Sequence, residues 1–247
     1  MTGAPTASAD QARALDAAAG RLGVSLDALM AVASFQCARL AHDLLDDLPA
    51  SVPVAVLAGP GNNGGDALGC ARHLAAWGQT VRAVTWGDLG DPEASYSRQA
   101  RAAQAAGVEL RRADRDAESA MDWAIARAGL VVDGLLGTGS SGAVRGSVAD
   151  AVRRINASTS AVLALDVPSG LDATTGQTGG DCVRADVTVM LAIAKSGCLA
   201  QRAPVGQLWL ADIGVPAEAY RAVGLVPPNL SDGSLRPFEP ASGRDSS

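Results

Sequence analysis

Four short segments of the chain combine glycines with side chains able to move protons or hold charge. Gly59-Pro60-Gly61-Asn62-Asn63-Gly64-Gly65-Asp66 offers two amides and a carboxylate. Asp133 precedes Gly137-Thr138-Gly139-Ser140-Ser141-Gly142, a loop rich in hydroxyl donors. Asp166-Val167-Pro168-Ser169-Gly170 holds a carboxylate and a hydroxyl on a stiff turn, because proline fixes its own φ and biases the preceding residue toward extended backbone. Lys195 is the fourth feature, a cation that neutralises a phosphate or polarises a reacting group. Carboxylates beside a lysine suit acid–base chemistry. A glycine loop opening a helix suits an anion, since unpaired N–H groups and the dipole point into it.

Each segment also has a purely structural reading. The glycines make a tight turn, with Asp66 favourable near a helix start. Asp133 either caps its loop or faces a ligand or ion. Asp166 either bonds nearby backbone as an Asx turn or does chemistry. Lys195 either lays its stem along the surface or faces the site. Convergence decides between them. The segments follow apolar, β-branched-rich runs at residues 52–58, 130–136, 161–165 and 187–194, which read as buried parallel strands. Ligands of open α/β sheets bind beyond the carboxyl ends of such strands.

Helical spacing predicts helices over residues 9–22, 25–48, 65–77, 93–106, 116–128 and 144–156, and further strands over 80–86 and 206–211. This alternation implies βαβ crossovers. The expected fold is α/β: a three-layer αβα sandwich around a Rossmann-like, mostly parallel sheet, with two extra N-terminal helices. Residues 9–224 read as a single domain; 1–8 and 228–247, poor in apolar periodicity, read as flexible tails.

Hydrophobic residues make up 48% of the chain and aromatics 3%, so aliphatic side chains and alanine must fill the core. The net charge of −6 without a basic block argues against nucleic acid as a partner. Cys37, Cys70, Cys182 and Cys198 have neither C-x-x-C spacing nor a histidine at ligand spacing, and read as buried thiols in a reducing compartment. His42 and His73 fall on predicted helices away from the loops. No apolar signal core or run of about 20 apolar residues is present, so a cytoplasmic protein with no membrane partner is expected.

Together the motifs resemble the YjeF N-terminal domain family, the NAD(P)HX epimerases. The resemblance rests on Pro60-Gly61-Asn62-Asn63-Gly64-Gly65-Asp66, Val132-Asp133 with Gly137-Thr138-Gly139, Asp166-Val167-Pro168-Ser169-Gly170 and Lys195. Gly176, Ala185-Asp186-Val187-Thr188 and Asp212-Ile213-Gly214 add weaker matches. The resemblance implies a repair isomerase that interconverts the R and S epimers of NADHX and NADPHX, hydrated reduced nicotinamide cofactors. A separate dehydratase would consume the S epimer. Asn62, Asn63, Gly64, Gly65 and Asp66, then Gly137, Thr138, Gly139, Ser140, Ser141, Gly142 and Ala143, would contact the substrate together with Asp166. Asp166, aided by Lys195, would carry the acid–base chemistry. Asn63, Asp133 and Ser169 would bind one potassium ion per subunit, helped by backbone carbonyls, and a homodimer is implied. Two positions depart from the family pattern: Ala67 and Ser34 stand where glycine is usual. The alternative from another class is a non-catalytic nucleotide-binding or scaffold module of the same fold.

Overall fold

The computed structural model describes residues 5–46, 48–49, 52–230 and 233–239. The chain opens with a short strand, β1 (Thr6–Ala7), and two helices, α1 (Ala9–Arg21) and α2 (Leu26–Leu45). Both helices start where the sequence supplies a cap. Ser8 and Gln11 form a reciprocal capping box on α1, and Ser25 accepts the Ala28 amide on α2.

Strand and helix then alternate through β2 (Val54–Ala58), α3 (Asn62–Ala76), β3 (Val81–Thr85), α4 (Ser95–Ala105), β4 (Glu109–Arg112) and α5 (Ala113–Ile125). The pattern continues with β5 (Leu130–Gly134), α6 (Gly146–Ala157), β6 (Ala161–Leu165) and β7 (Val187–Leu191). Last come β8 (Ala194–Lys195), α7 (Ser196–Ala200), β9 (Gln207–Ala211), α8 (Ala217–Ala222) and β10 (Leu235–Pro237). The main sheet has the order β10-β9-β7-β6-β5-β2-β3-β4, and only the β10–β9 pairing is antiparallel.

This is the expected three-layer arrangement. Residues of α1 to α4 bury Leu15, Leu40, Leu68 and Leu74 against one sheet face, while α5 and α6 bury Met121, Val152 and Ile155 against the other. The chain leaves β2 toward β3 and β4, then returns to place β5 on the opposite side. That reversal opens a crevice at the carboxyl ends of β2 and β5.

Four differences from the sequence reading matter. The expected tails each contribute a strand. Thr6 and Ala7 pair with Ala194 and Lys195, and residues 235–237 pair with β9. The open edge at β9 and the short strand β8 supply backbone partners that periodicity cannot reveal. Residues 1–4, 231–232 and 240–247 lie outside the described ones. α3 begins at Asn62, three residues before the glycine taken as its start, because glycine is tolerated in a first turn held by packing. β4 is half exposed and charged, so its sequence hides it. α5 starts earlier than expected but breaks at Asp116, whose carboxylate accepts the Ser119 amide at 3.0 Å.

Candidate active site

The crevice holds a cavity of about 340 Å³, within the usual size for a small-molecule site. Its floor is the ends of β5 and β6 with the turn after β7; one wall is the start of α3, and α1 and α2 supply the other through Leu15, Leu29 and Met30. The four chemistry-bearing segments do meet: Asn62, Asn63, Asp66, Gly137, Thr138, Gly139, Ser140, Asp166 and Lys195 all line this one space.

Asp166 and Lys195 form its charged centre. Both are buried, and the lysine ammonium contacts Asp166 Oδ1 as an ion pair. Lys195 Nζ also donates to the Leu191 carbonyl at 2.6 Å, and the Leu191 amide donates to Asp166 Oδ1 at 3.2 Å. The lysine is therefore a site residue, not a surface one. It is fixed because β8 pairs with β1, the strand made by the N-terminal segment. Asp166 has φ +65°, and Ala192 on the facing turn has φ +62°. Each costs roughly 1 kcal/mol in a non-glycine residue. Two such residues face each other across the charged centre, where strain is tolerated for the sake of side-chain aim.

Asp133 and Ser169 pair beneath the floor rather than in the cavity. Both are fully buried. Ser169 Oγ donates to Asp133 Oδ1 at 2.6 Å, Ser169 N to Oδ2 at 2.8 Å and Leu135 N to Oδ1 at 3.2 Å. No ion pair reaches Asp133 among the described residues. Burial pushes its carboxyl up to about 6, against the pull of the Ser169 and Leu135 donors. Asn63 sits beside this pair. Its Nδ2 donates to the carbonyls of Leu136 at 2.8 Å and Leu165 at 3.1 Å, while its buried Oδ1 has no hydrogen-bond partner among the described residues. An orphaned amide oxygen, clustered carbonyls and one uncompensated carboxylate form an oxygen-only donor set that fits a hard monovalent cation.

The glycines divide by role. A Cβ on Gly64 would lie 1.9 Å from the Gly59 carbonyl oxygen, and one on Gly65 would lie 2.6 Å from Met30 Cε. Both residues are buried behind the cavity wall, where they permit α3 to approach β2 and α2. Ser141, Gly142 and Ala143 line a smaller pocket of about 50 Å³ on the far side of the same loop, shared with Leu136, Gly137 and Ser140. Asp66 reaches the cavity from α3. Burial, then the charges of Asp166 and Asp16, hold its carboxyl well above the ordinary range, opposed by Lys195.

The two departures from the family pattern lie off the cavity. Ala67 is buried within α3, its methyl filling the space against Gly134. Ser34 packs on Gly69 where α2 crosses α3, and its buried Oγ has no partner. His42 and His73 pack with Phe35 and Trp77 on the outer helical layer, and the four cysteines are free thiols.

Sequence reasoning missed the contribution of α1. Arg13 and Asp16 both line the cavity, and Arg13 Nη1 donates to the Thr138 carbonyl at 2.9 Å, tying α1 to the glycine loop. The signal was present: Ala12, Leu15, Asp16 and Ala19 share one helical stripe, and an acid within an apolar stripe is anomalous.

Comparison with known proteins identifies the family. Residues 26–197 match the family described as YjeF-related protein N-terminus. The NAD(P)H-hydrate epimerase of Rhodopirellula baltica is 36% identical over 185 residues, covering 74% of this chain and 75% of that protein. A protein of the same name from Dehalogenimonas lykanthroporepellens is 36% identical over 203 residues, 82% of this chain and 79% of its own length. The bifunctional NAD(P)H-hydrate repair enzyme Nnr of Hyperthermus butylicus is 40% identical over 196 residues, and this chain spans only 36% of it. The crystal structure of yeast YNL200c superposes with a TM-score of 0.82 at 21% identity, covering 94% of this chain and 99% of that one, a likeness of fold. The chain belongs to the family of the YjeF-related protein N-terminus.

Proposed function

We propose that the protein epimerises the R and S forms of NADHX and NADPHX as a step of metabolite repair. The observation that carries this reading is a buried, strained Asp166–Lys195 pair facing a cavity rimmed by a glycine-opened helix start and a hydroxyl-rich loop. The names of the epimerase relatives from Rhodopirellula and Dehalogenimonas support it.

The epimers differ at one ring carbon, C6, which bears the hydroxyl. Interconversion requires the C–O bond on one face to break and a new one to form on the other. Lone-pair donation from the adjacent ring nitrogen stabilises the intervening cation. Asp166 is the acid–base group at the floor: ion-paired to Lys195, it faces the cavity where it can accept a proton from incoming water. Lys195 stabilises that charge and sets its orientation. Asn62, the open N–H groups of α3 and the Gly137 to Ser140 segment bind the nucleotide portion. Gly64 and Gly65 shape that helix start, and Ser141, Gly142 and Ala143 extend the ligand surface past the loop.

Potassium would be held by Asn63 Oδ1, the Asp133 carboxylate, Ser169 and neighbouring carbonyls. When bound it supplies positive charge that offsets buried Asp133 and fixes the loops bearing Asn63 and Ser169. Residues 9–224 form the working domain, extended at its two ends by strands β1 and β10. Val32, Phe35 and Trp77, large apolar residues exposed on the outer helical layer, favour a homodimer. A separate dehydratase consuming the S epimer completes the repair, in the cytoplasm; among the described residues no helix is long and apolar enough to cross a membrane.

The test couples the protein to a dehydratase specific for the S epimer. Adding this protein should make the R epimer disappear along with the S. An R pool that decays only at its spontaneous rate would refute the assignment.

A further inference from the structure

Inversion at C6 sets a geometric demand that Asp166 alone does not meet. The hydroxyl leaves from one face of a flat ring and water enters at the other. A carboxylate fixed on the floor by Lys195 and the Leu191 amide serves one face only. The opposite face needs its own proton donor and acceptor.

Two further carboxyls line the cavity: Asp66, buried in the α3 wall, and Asp16, which comes from α1 and so from a different wall. Asp16 comes from α1, outside the matched residues 26–197, and lines the same space as Asp166. Its stripe on α1 turns inward, since Ala12, Leu15 and Ala19 are buried. The helix itself is anchored at both ends of the site: β1 pairs with the strand carrying Lys195, and Arg13 holds the Thr138 carbonyl. Among the described residues no hydrogen bond or ion pair engages the Asp16 carboxyl, so nothing but the cavity claims it. The residue is open to solvent through the cavity mouth, yet the surrounding walls desolvate its carboxyl. That desolvation raises it above the ordinary carboxylate range, with Lys195 opposing and Asp166 reinforcing. The two acids therefore sit differently: Asp166 is ion-paired to Lys195, while Asp16 has no cation in contact and holds a proton more readily than an ordinary carboxyl. Pairs of acids whose environments differ in this way mark acid and base partners.

We infer that Asp16 is a catalytic residue for this epimerisation, acting on the ring face opposite Asp166. This rests on the proposed function and deepens it. The balance is complete without a further reactant. Protonated Asp16 gives its proton to the departing hydroxyl, the C6–O bond breaks, and water leaves with both electrons of that bond. A second water attacks C6 from the floor side and gives one proton to the Asp166 carboxylate. Asp166 then releases its proton to solvent water and Asp16, exposed to solvent, takes one up, which restores the starting state for either direction.

The test follows oxygen as well as configuration. Each epimer of NADHX is incubated separately in ¹⁸O-water, and inversion and label at C6 are measured against the enzyme-free control. Asp16→Asn should lower inversion by about 100-fold or more. It should still let one epimer, the one whose hydroxyl faces Asp166, exchange oxygen with retention. Asp166→Asn should give the mirror pattern, with exchange confined to the other epimer. Full inversion in Asp16→Asn, loss of exchange for both epimers, or exchange of the same epimer by both variants would each overturn the assignment. A wild-type protein without inversion above the spontaneous rate would instead remove the epimerase reading, and this inference with it. Because Asp16 carries no hydrogen bond, its amide should leave the thermal midpoint unchanged, which separates a catalytic loss from an unfolded variant.

Discussion

Asp133 and Asp166 end neighbouring strands of the same sheet, and the sequence presents them alike, each a carboxylate closing an apolar run. The structure makes them opposites. Asp133 stays within the pleat of β5, opposite Leu57 and Ala164, and its oxygens are taken by three donors from Ser169 and Leu135. Asp166 lies one residue past β6, turns to φ +65°, and meets Lys195 at the cavity floor. One carboxylate is sealed and lacks a counter-charge; the other is paired and open to a ligand. The left-handed backbone at Asp166 sets the two apart, and the local sequence signals it only through the rigid Pro168 that follows.

The contrast can be broken first at Lys195. Lys195→Met leaves Asp166 buried without its cation, which should lower stability by about 3 kcal/mol and abolish measurable epimerase activity. Denaturant unfolding reads the first and epimer exchange the second. An unchanged unfolding midpoint would mean that the pair is not the anchor of the floor.

Asp133→Ala sharpens the other side. Two backbone amides, of Leu135 and Ser169, lose their acceptor, at a cost of about 2 kcal/mol. The wild-type melting temperature should also rise with added potassium but not with tetramethylammonium, and the variant should lose that response. A potassium response that survives in the variant would take Asp133 out of the cation site.

Asp66 offers a pH test from the cavity wall. Its carboxyl is raised by burial and by Asp166 and Asp16, so the folded protein keeps a proton that the unfolded chain releases near pH 4. The stabilisation is full below that point and fades as pH rises toward the raised value. Asp66→Asn should therefore lose less stability than wild type between about pH 4 and 7, as followed by thermal melts across that range. Parallel curves would contradict the burial argument.

The smallest effect lies away from the site. Ser34 buries a hydroxyl with no partner against Gly69, so Ser34→Ala should stabilise the protein by about 1 kcal/mol without altering activity. Destabilisation would mean that the hydroxyl has a partner in solution.

Much of this was legible beforehand. The central parallel strands β2, β5, β6 and β7 are apolar runs rich in Val, Ala and Leu and buried on both faces, and such runs declare themselves. The glycine and proline turns gave the loops, and sheet topology brought them together. What escaped depended on long-range contacts. Strand β10 exists because the β9 edge accepts it, and β1 because β8 pairs with it in a separate two-stranded sheet, not because their residues favour extension. Asp16 looked like ordinary helix surface until α1 was seen to roof the cavity. The burial of Lys195 likewise depends on β1, a segment nearly two hundred residues away.

The most direct measurement is exchange spectroscopy on an equilibrated mixture of R and S NADHX, with wild-type protein and with Asp166→Asn, in potassium buffer. The account predicts cross-peaks between the epimers well above the spontaneous rate for wild type, and their loss in the variant with its fold intact. Exchange of equal rate in both proteins, or none in wild type while NADHX still perturbs the protein's resonances, would contradict it.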